Sequence, residues 1–265
     1  MKNKYSFKIH LISHTSEPLK AISCAILNLG IGKDIIKLSD ITKKEAENAF
    51  KDTVKSWLTS PLEYASFNFF VQNVPLFIIR EWQRARIGWS YAERSMRFYQ
   101  LDESIIDKID RRFYDSMDDK QWIAFLEICK SQIKEYLKMR KQGIKTSDCR
   151  CVIGVWLPTQ LQVSVNYRAL RETMAVRLSA QAHSGWQIVA KEIKKLVAEV
   201  EPILGNNLVN VCELNQRCVW QSRMDRVCQD CIGKPWTKEP NHVHDFSKGQ
   251  CSCGEFKPKT KKYGR

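Results

Sequence analysis

The sequence predicts an α+β domain over residues 1–205, followed by a small Cys/His-rich knob over residues 206–265, and three observations carry that division. Short alternating apolar segments, YSFKIHLISH at 5–14 and ASFNFFV at 65–71, read as strands. Longer stretches with apolar residues every three or four positions lie between and after them and read as helices. Beyond residue 211 the character changes: six of the ten cysteines fall there, among Gly, Pro and Lys, with too few apolar residues for a separate core. A chain of 265 residues can bury one sizeable core and carry such an appendage.

In chain order, Ser16-Glu17-Pro18 opens a helix through about Leu29, which Gly30 and Gly32 stop. Ile41 to Leu58 reads as a second amphipathic helix, with Asp40 or Thr42 as its cap. The strand at 65–71 runs into Leu76-Phe77-Ile78-Ile79, a buried helical turn or strand, after which Arg80 and Arg84 share a helical face. Ser104 to Gln142 is helical in pattern, two helices broken near 116–119, with Gly143 as a natural C-cap. After Trp186 a closing helix places Ile188, Ile193, Val197 and Val200 inward and Lys191, Lys194 and Lys195 outward.

The densest chemistry lies in Pro75 to Tyr99, PLFIIREWQRARIGWSYAERSMRFY, which holds five arginines, two carboxylates and no lysine. An ordinary exposed basic helix would mix Lys with Arg and add Glu at i+4, so a solvated face is the weaker reading. Glu93, Ser95 and Arg97 are spaced two apart, and an extended segment would aim all three to one side. That set suits an anionic ligand: guanidinium forks pair with phosphate, a serine hydroxyl adds a hydrogen bond, and a carboxylate holds a ribose hydroxyl or a base N–H.

Arg84-Ala85-Arg86, a short spacer, and Ser90-Tyr91-Ala92-Glu93-Arg94-Ser95-Met96-Arg97-Phe98 resemble the signature of the flavin-dependent thymidylate synthases, Arg-His-Arg followed by Ser-x-Asn-Glu-x-Ser-x-Arg-Tyr. Ala85 stands where the family has histidine and Ala92 where it has asparagine, and the spacer is one residue longer, at Gly88 or Trp89. Ser60-Pro61-Leu62-Glu63-Tyr64 resembles the family's Thr/Ser-Pro-x-Glu-His turn, with Tyr64 replacing the histidine. Asp148-Cys149-Arg150 corresponds to the family's Glu-Ala-Arg, which leads into an apolar strand with proline, so the resemblance implies a strand over Cys151 to Pro158, while Asn166-Tyr167-Arg168-Ala169-Leu170 and Arg177 match the family's Asn-x-Arg-x-Leu and downstream arginine without a gap. Matched blocks in the right order at matched distances are far more specific than either block alone. The resemblance spans roughly residues 5–200 and implies the α/β fold of that family.

It also implies a chemistry: methylation of a pyrimidine deoxynucleotide at C5, dUMP to dTMP, with FAD, NADPH and 5,10-methylenetetrahydrofolate. By resemblance, Ser60, Arg84, Ala85, Arg86, Glu93, Asn166, Arg168 and Glu172 fall in the flavin site. Glu81, Gln83, Arg84, Glu93, Arg94, Ser95, Met96, Arg97, Arg150 and Arg177 fall in the nucleotide site. Arg177 is the expected catalytic residue, because a fixed guanidinium beside the pyrimidine favours its anionic N3 form and drives electron density to C5. The plainer alternative for Arg177 is a helix-surface ion pair with Glu172. Glu81 replaces a phosphate-contacting glutamine and Glu172 an asparagine near the flavin, and with Ala85 and Ala92 they suggest a pocket remodelled for another nucleotide, such as dCMP, or for hydroxymethylation. Cys149 and Cys151 could serve as nucleophiles, but neither has a neighbouring histidine and both border an apolar stretch where a thiol packs.

In the knob, Cys228 and Cys231 form a C-x-x-C half-site, with His242, His244, Cys251 and Cys253 as candidates for the rest of a structural zinc site. Reduced, unliganded cysteines are the alternative. The end, KPKTKKYGR, is disordered by composition. A net charge of +14 implies anionic partners, which nucleotides, folate polyglutamate and nucleic acid all satisfy. A nucleic-acid-binding protein is therefore the rival class, and nucleic acid could bind through the basic tail. With no apolar run of about 18 residues and no signal-peptide core, the expected location is cytoplasmic, away from membranes. The family resemblance further implies a homotetramer with shared active sites.

Overall fold

The computed structural model describes residues 6–56, 58–179 and 182–215, together with 244–245 and 250–251. Strand β1 (Lys8–His14) leads into α1 (Pro18–Gly30) and α2 (Lys43–Ser56). Of the two candidate caps for α2 it is Thr42 that serves: the backbone N–H of Glu45 donates to its hydroxyl at 3.3 Å, and the Thr42 N–H donates back to the Glu45 carboxylate at 3.0 Å. The two helices pack through small residues. The buried Ser23 hydroxyl lies within hydrogen-bonding reach of Leu19 O at 2.8 Å in its own helix and Ala46 O at 2.9 Å in the other.

Strand β2 (Ser66–Pro75) then runs directly into α3 (Leu76–Trp82), so Leu76 to Ile79 form a buried helical turn. β3 (Trp89–Glu93) follows; later come α4 (Asp119–Lys141), the single turn α5 (Thr146–Cys149), β4 (Pro158–Asn166), α6 (Tyr167–Arg177), α7 (Ser184–Val200), α8 (Pro202–Asn206) and α9 (Val211–Asn215). The four strands form one antiparallel sheet in the order β1-β2-β4-β3. Alternation turns Phe67, Phe69, Val71, Leu161, Val163, Val165 and Trp89 to the buried face. Asn68, Ser164, Gln162 and Ala92 lie at the intervening positions, on the open side. In α7, Ile193 and Val197 are buried and Lys191 and Lys195 exposed, as the spacing predicts; Ile188, Val200 and Lys194 are half-buried, and Trp186 and Val189 are buried beside them. Among the described residues no helix is long and apolar enough to cross a membrane.

Three expectations are corrected. The helix expected from Ser104 is two 3-10 turns, Glu103–Lys108 and Arg111–Tyr114, and α4 begins only at Asp119. Asp110 explains the break: its side chain accepts from Arg112 N at 3.1 Å, an N–H that a continuous helix would bond to the carbonyl four residues back, while Asp102 caps the first turn by accepting from Ser104 N at 2.9 Å. Asp118 and Gln121 then close a reciprocal capping box that starts α4.

The strand expected over Cys151 to Pro158 is a 3-10 turn at Arg150–Val152 and irregular chain, with β4 starting at Pro158. Its polar groups find other partners. Gly154 N and the Trp156 indole donate to the Gln132 side chain on α4 at 3.0 and 2.5 Å, and Val155 O and Leu157 O accept the first N–H groups of α3 at 2.9 and 3.0 Å. These carbonyls cap α3 where its own chain supplies no acceptor. Finally, α3 ends at Trp82, so Arg80 and Arg84 do not share a helical face; Arg84 stands in the turn after the helix.

Candidate functional site

The two sequence blocks that carry the chemistry meet at the end of the sheet. β3 pairs with β4 from Trp89 opposite Val165 to Glu93 opposite Leu161, and just before this ladder Asn166 N donates to Gly88 O at 3.1 Å. Asn166 is also the N-cap of α6, its side-chain oxygen accepting from Ala169 N at 2.9 Å. Gly88 sits at φ +73°, and a Cβ there would lie 2.6 Å from the Ala169 Cβ and 2.7 Å from the Asn166 side-chain nitrogen. Only glycine lets the Arg84-Ala85-Arg86 loop enter β3 this close to the start of α6.

That loop is fastened from below by Tyr91, whose hydroxyl reaches the carbonyls of Trp82 at 2.9 Å and Ala85 at 2.6 Å. Burial pushes the Tyr91 phenol well up, which keeps it a neutral donor. Trp82 packs edge-on against Trp89 at 5.8 Å and Trp186 at 5.1 Å, and Trp89 stacks on Tyr91 at 5.9 Å. The result is a rigid aromatic floor joining α3, β3 and α7.

Ser60, itself exposed, opens a 3-10 turn, Ser60–Tyr64, in which Pro61 and Leu62 are buried and which is tied to α6 where Tyr167 N donates to Ala65 O at 2.8 Å. Across this junction Arg168 donates to Glu63 at 2.7 Å and to Glu172 at 3.2 Å. The hydrogen bonds that Arg168 donates to Glu63 and Glu172 push its guanidinium pKa up. Arg177, the last residue of α6, pairs with Glu81 of α3 at 3.2 Å and lies over the Trp186 ring at 4.6 Å. The Glu172 partner considered for Arg177 therefore belongs to Arg168.

Gln83 donates to Glu93 at 3.0 Å, linking the end of α3 to the end of β3. Arg94 hydrogen-bonds the Gln160 side chain and lies over the Tyr99 ring at 4.4 Å. The extended run expected through Arg97 stops at Glu93; beyond it the chain turns, with Arg97 N donating to the Ser95 hydroxyl at 3.2 Å. Met96 packs against the core. Arg84, Arg86, Arg97 and Arg150 are exposed, and their guanidinium groups have no hydrogen bond or ion pair among the described residues. Cys149 is buried with its thiol on Ile144 O, and Cys151 is exposed.

Reading the sequence missed Glu63, Tyr91, Gln160 and the three tryptophans as parts of the site. Glu63 lay within a quoted motif, but the tryptophans occupied positions that pattern alone assigns to the core. In the knob, Cys228, Cys231, His242 and Cys253 lie outside the described residues. His244 and Cys251 are described only as backbone partners in a two-stranded ladder. Among the described residues no group of three or more His, Cys, Asp or Glu could hold a metal ion.

Residues 10–203 match the family model described as thymidylate synthase complementing protein. A flavin-dependent thymidylate synthase of Pyrococcus abyssi is 24% identical over 231 residues, covering 80% of this chain and 86% of the relative. One from Thermosipho africanus is 27% identical over 193 residues, covering 68% and 80%. Among solved structures, the UMP/dUMP methylase PolB from Streptomyces cacaoi, bound with 5-Br dUMP, superposes with a TM-score of 0.62 at 18% identity, over 77% of this chain and 94% of that one.

Proposed function

Because this chain belongs to the flavin-dependent thymidylate synthases, the family of thymidylate synthase complementing proteins, we propose that it converts dUMP to dTMP, with FAD, 5,10-methylenetetrahydrofolate as one-carbon donor and NADPH as reductant. Membership makes the protein an enzyme, a methyltransferase, and retires the reading as a non-enzymatic nucleic-acid binder. The observation that supports the specific reading is the junction of Gly88 with Asn166, which unites the two motif blocks.

The residues present fit a flavin dinucleotide. Arg84 and Arg86 are guanidiniums without partners among the described residues, on a loop held by Tyr91, as an anionic diphosphate requires. Asn166, Arg168 and the Ser60 turn adjoin that loop through Gly88 and α6. When bound, the flavin supplies the hydride. The chain binds and orients: Arg97, Ser95 and Arg150 would meet the nucleotide's anionic groups, and Glu93, held by Gln83, its sugar or base. Arg177 would stabilise the N3 anion, and its half-buried position strengthens that interaction over one in open water.

Ile87 and Phe98, 93% and 88% exposed, flank the free arginines, which suits a site completed by ligand and by another copy in a homotetramer. A second reading follows from the Glu81 carboxylate beside Arg177: it offers an acceptor to an exocyclic amine, so dCMP is the alternative substrate. The test is to supply dUMP or dCMP with methylenetetrahydrofolate and NADPH and to identify products by mass. We expect dTMP from dUMP, and a kcat for Arg177→Ala lower by about a hundredfold or more. A 5-substituted product from dCMP alone would select the second reading; no product from either would refute both.

A further inference from the structure

We propose that Glu81 is a positioning residue that holds the Arg177 guanidinium in one orientation over the Trp186 ring; the proposal rests on the role given above to Arg177. The placement of Glu81 is locally unfavourable. It lies in the last turn of α3, where the carbonyl end of the helix repels a carboxylate. Arg177 ends α6, where the same field favours a cation. The two helix ends therefore meet with opposite charges, and the 3.2 Å contact offsets the cost on α3. Such a local conflict with a long-range partner is expected where position serves a site.

The geometry leaves the guanidinium available. Its central carbon lies over the Trp186 ring, 4.6 Å from the ring centre, and that indole is wholly buried and braced by Trp82. Only Nη1 is engaged, by the Glu81 carboxylate; the remaining N–H groups have no partner among the described residues and can donate to a ligand. A long side chain that the cation–π contact alone would leave free to turn is thereby fixed in one orientation. At a glutamine, the family's residue by resemblance, a neutral acceptor could do the same with less attraction.

The experiment compares Glu81→Ala and Glu81→Gln in the full chain. The first readout is modification of arginines by phenylglyoxal, followed peptide by peptide by mass. Arg177 should react several-fold faster in Glu81→Ala, with Glu81→Gln between it and the parent and Arg84 and Arg150 unchanged as internal references. The second readout is kinetic: Glu81→Ala should lower kcat by about tenfold with the nucleotide KM altered much less, and Glu81→Gln should recover most of that loss. Alanine is a strong helix former, so α3 should persist, which far-ultraviolet circular dichroism checks. An Arg177 modification rate equal to that of the parent in Glu81→Ala overturns the proposal, as does a loss confined to KM. A parent enzyme without turnover would refute the proposed reaction instead, and the modification rates would still decide whether Glu81 locks Arg177.

Discussion

Replacing Gly88 by alanine tests the junction on which the site depends. Two costs add there. A left-handed backbone at φ +73° disfavours any Cβ by about 1–2 kcal/mol. The new methyl would also stand 2.6 Å from Ala169 Cβ, an atom that cannot rotate away, and overpacking of this kind costs about 1–3 kcal/mol. The sum is about 2–5 kcal/mol, which for a domain of this size lowers Tm by about 5–15 °C. Gly143 supplies the control, because its φ of +81° carries the backbone penalty while nothing lies within 4 Å of its Cβ position. Thermal unfolding followed by circular dichroism should give Gly143→Ala the smaller shift and Gly88→Ala the larger. Purified Gly88→Ala should also retain less flavin, since the methyl displaces Asn166 and with it the start of α6. Equal shifts for the two variants, or full flavin retention by Gly88→Ala, would refute the reasoning.

Arg168→Ala should purify folded but without its yellow flavin absorption, since it removes only exposed ion pairs with Glu63 and Glu172 from the protein while deleting ligand contacts; stoichiometric flavin in that variant would contradict its role. The capping box of α2 should weaken in acid. Hydrogen bonds from Lys33 and Thr42 hold the Glu45 carboxyl at about 2 against its ordinary 4.5. A depressed carboxyl pKa contributes stability above its unfolded value and loses it as pH falls, so the difference in stability between parent and Glu45→Ala should shrink from pH 5 toward pH 2. A difference that grew on acidification would reverse the sign. Elemental analysis of protein purified without chelator should find one zinc per chain, lost on replacing Cys228 and Cys231; a substoichiometric trace would dismiss the zinc knob.

Local chemistry made much of the fold legible. Thr42 and Glu45 announce the start of α2 three residues apart, and the alternation of Phe67, Phe69 and Val71 sets the buried face of β2, because these interactions span one turn or one pleat. Where the reading failed, a distant partner had taken over groups that local pattern assigned elsewhere. The residues at 151–157 are apolar enough for a strand, yet Gln132 on α4 and the open N–H groups of α3 claim their backbone. Asp110, expected inside a helix, is buried and accepts from Phe7 N at the edge of the sheet as well as from Arg112 N.

The sequence by itself determined the family to which the chain belongs and the motif residues proposed for its site, since arginines, glycines and their spacings are covalent facts that no folding alters. Tertiary structure decided which charges are spent and which remain free. Arg168 and Arg177 are nine residues apart on one helix, but the turn at Ser60–Tyr64 brings Glu63 to the first and the end of α3 brings Glu81 to the second, while Arg84, Arg86 and Arg97 are left without partners among the described residues. Ion pairing falls steeply with distance and depends on where helix ends converge in space, so a spacing along the chain cannot specify it.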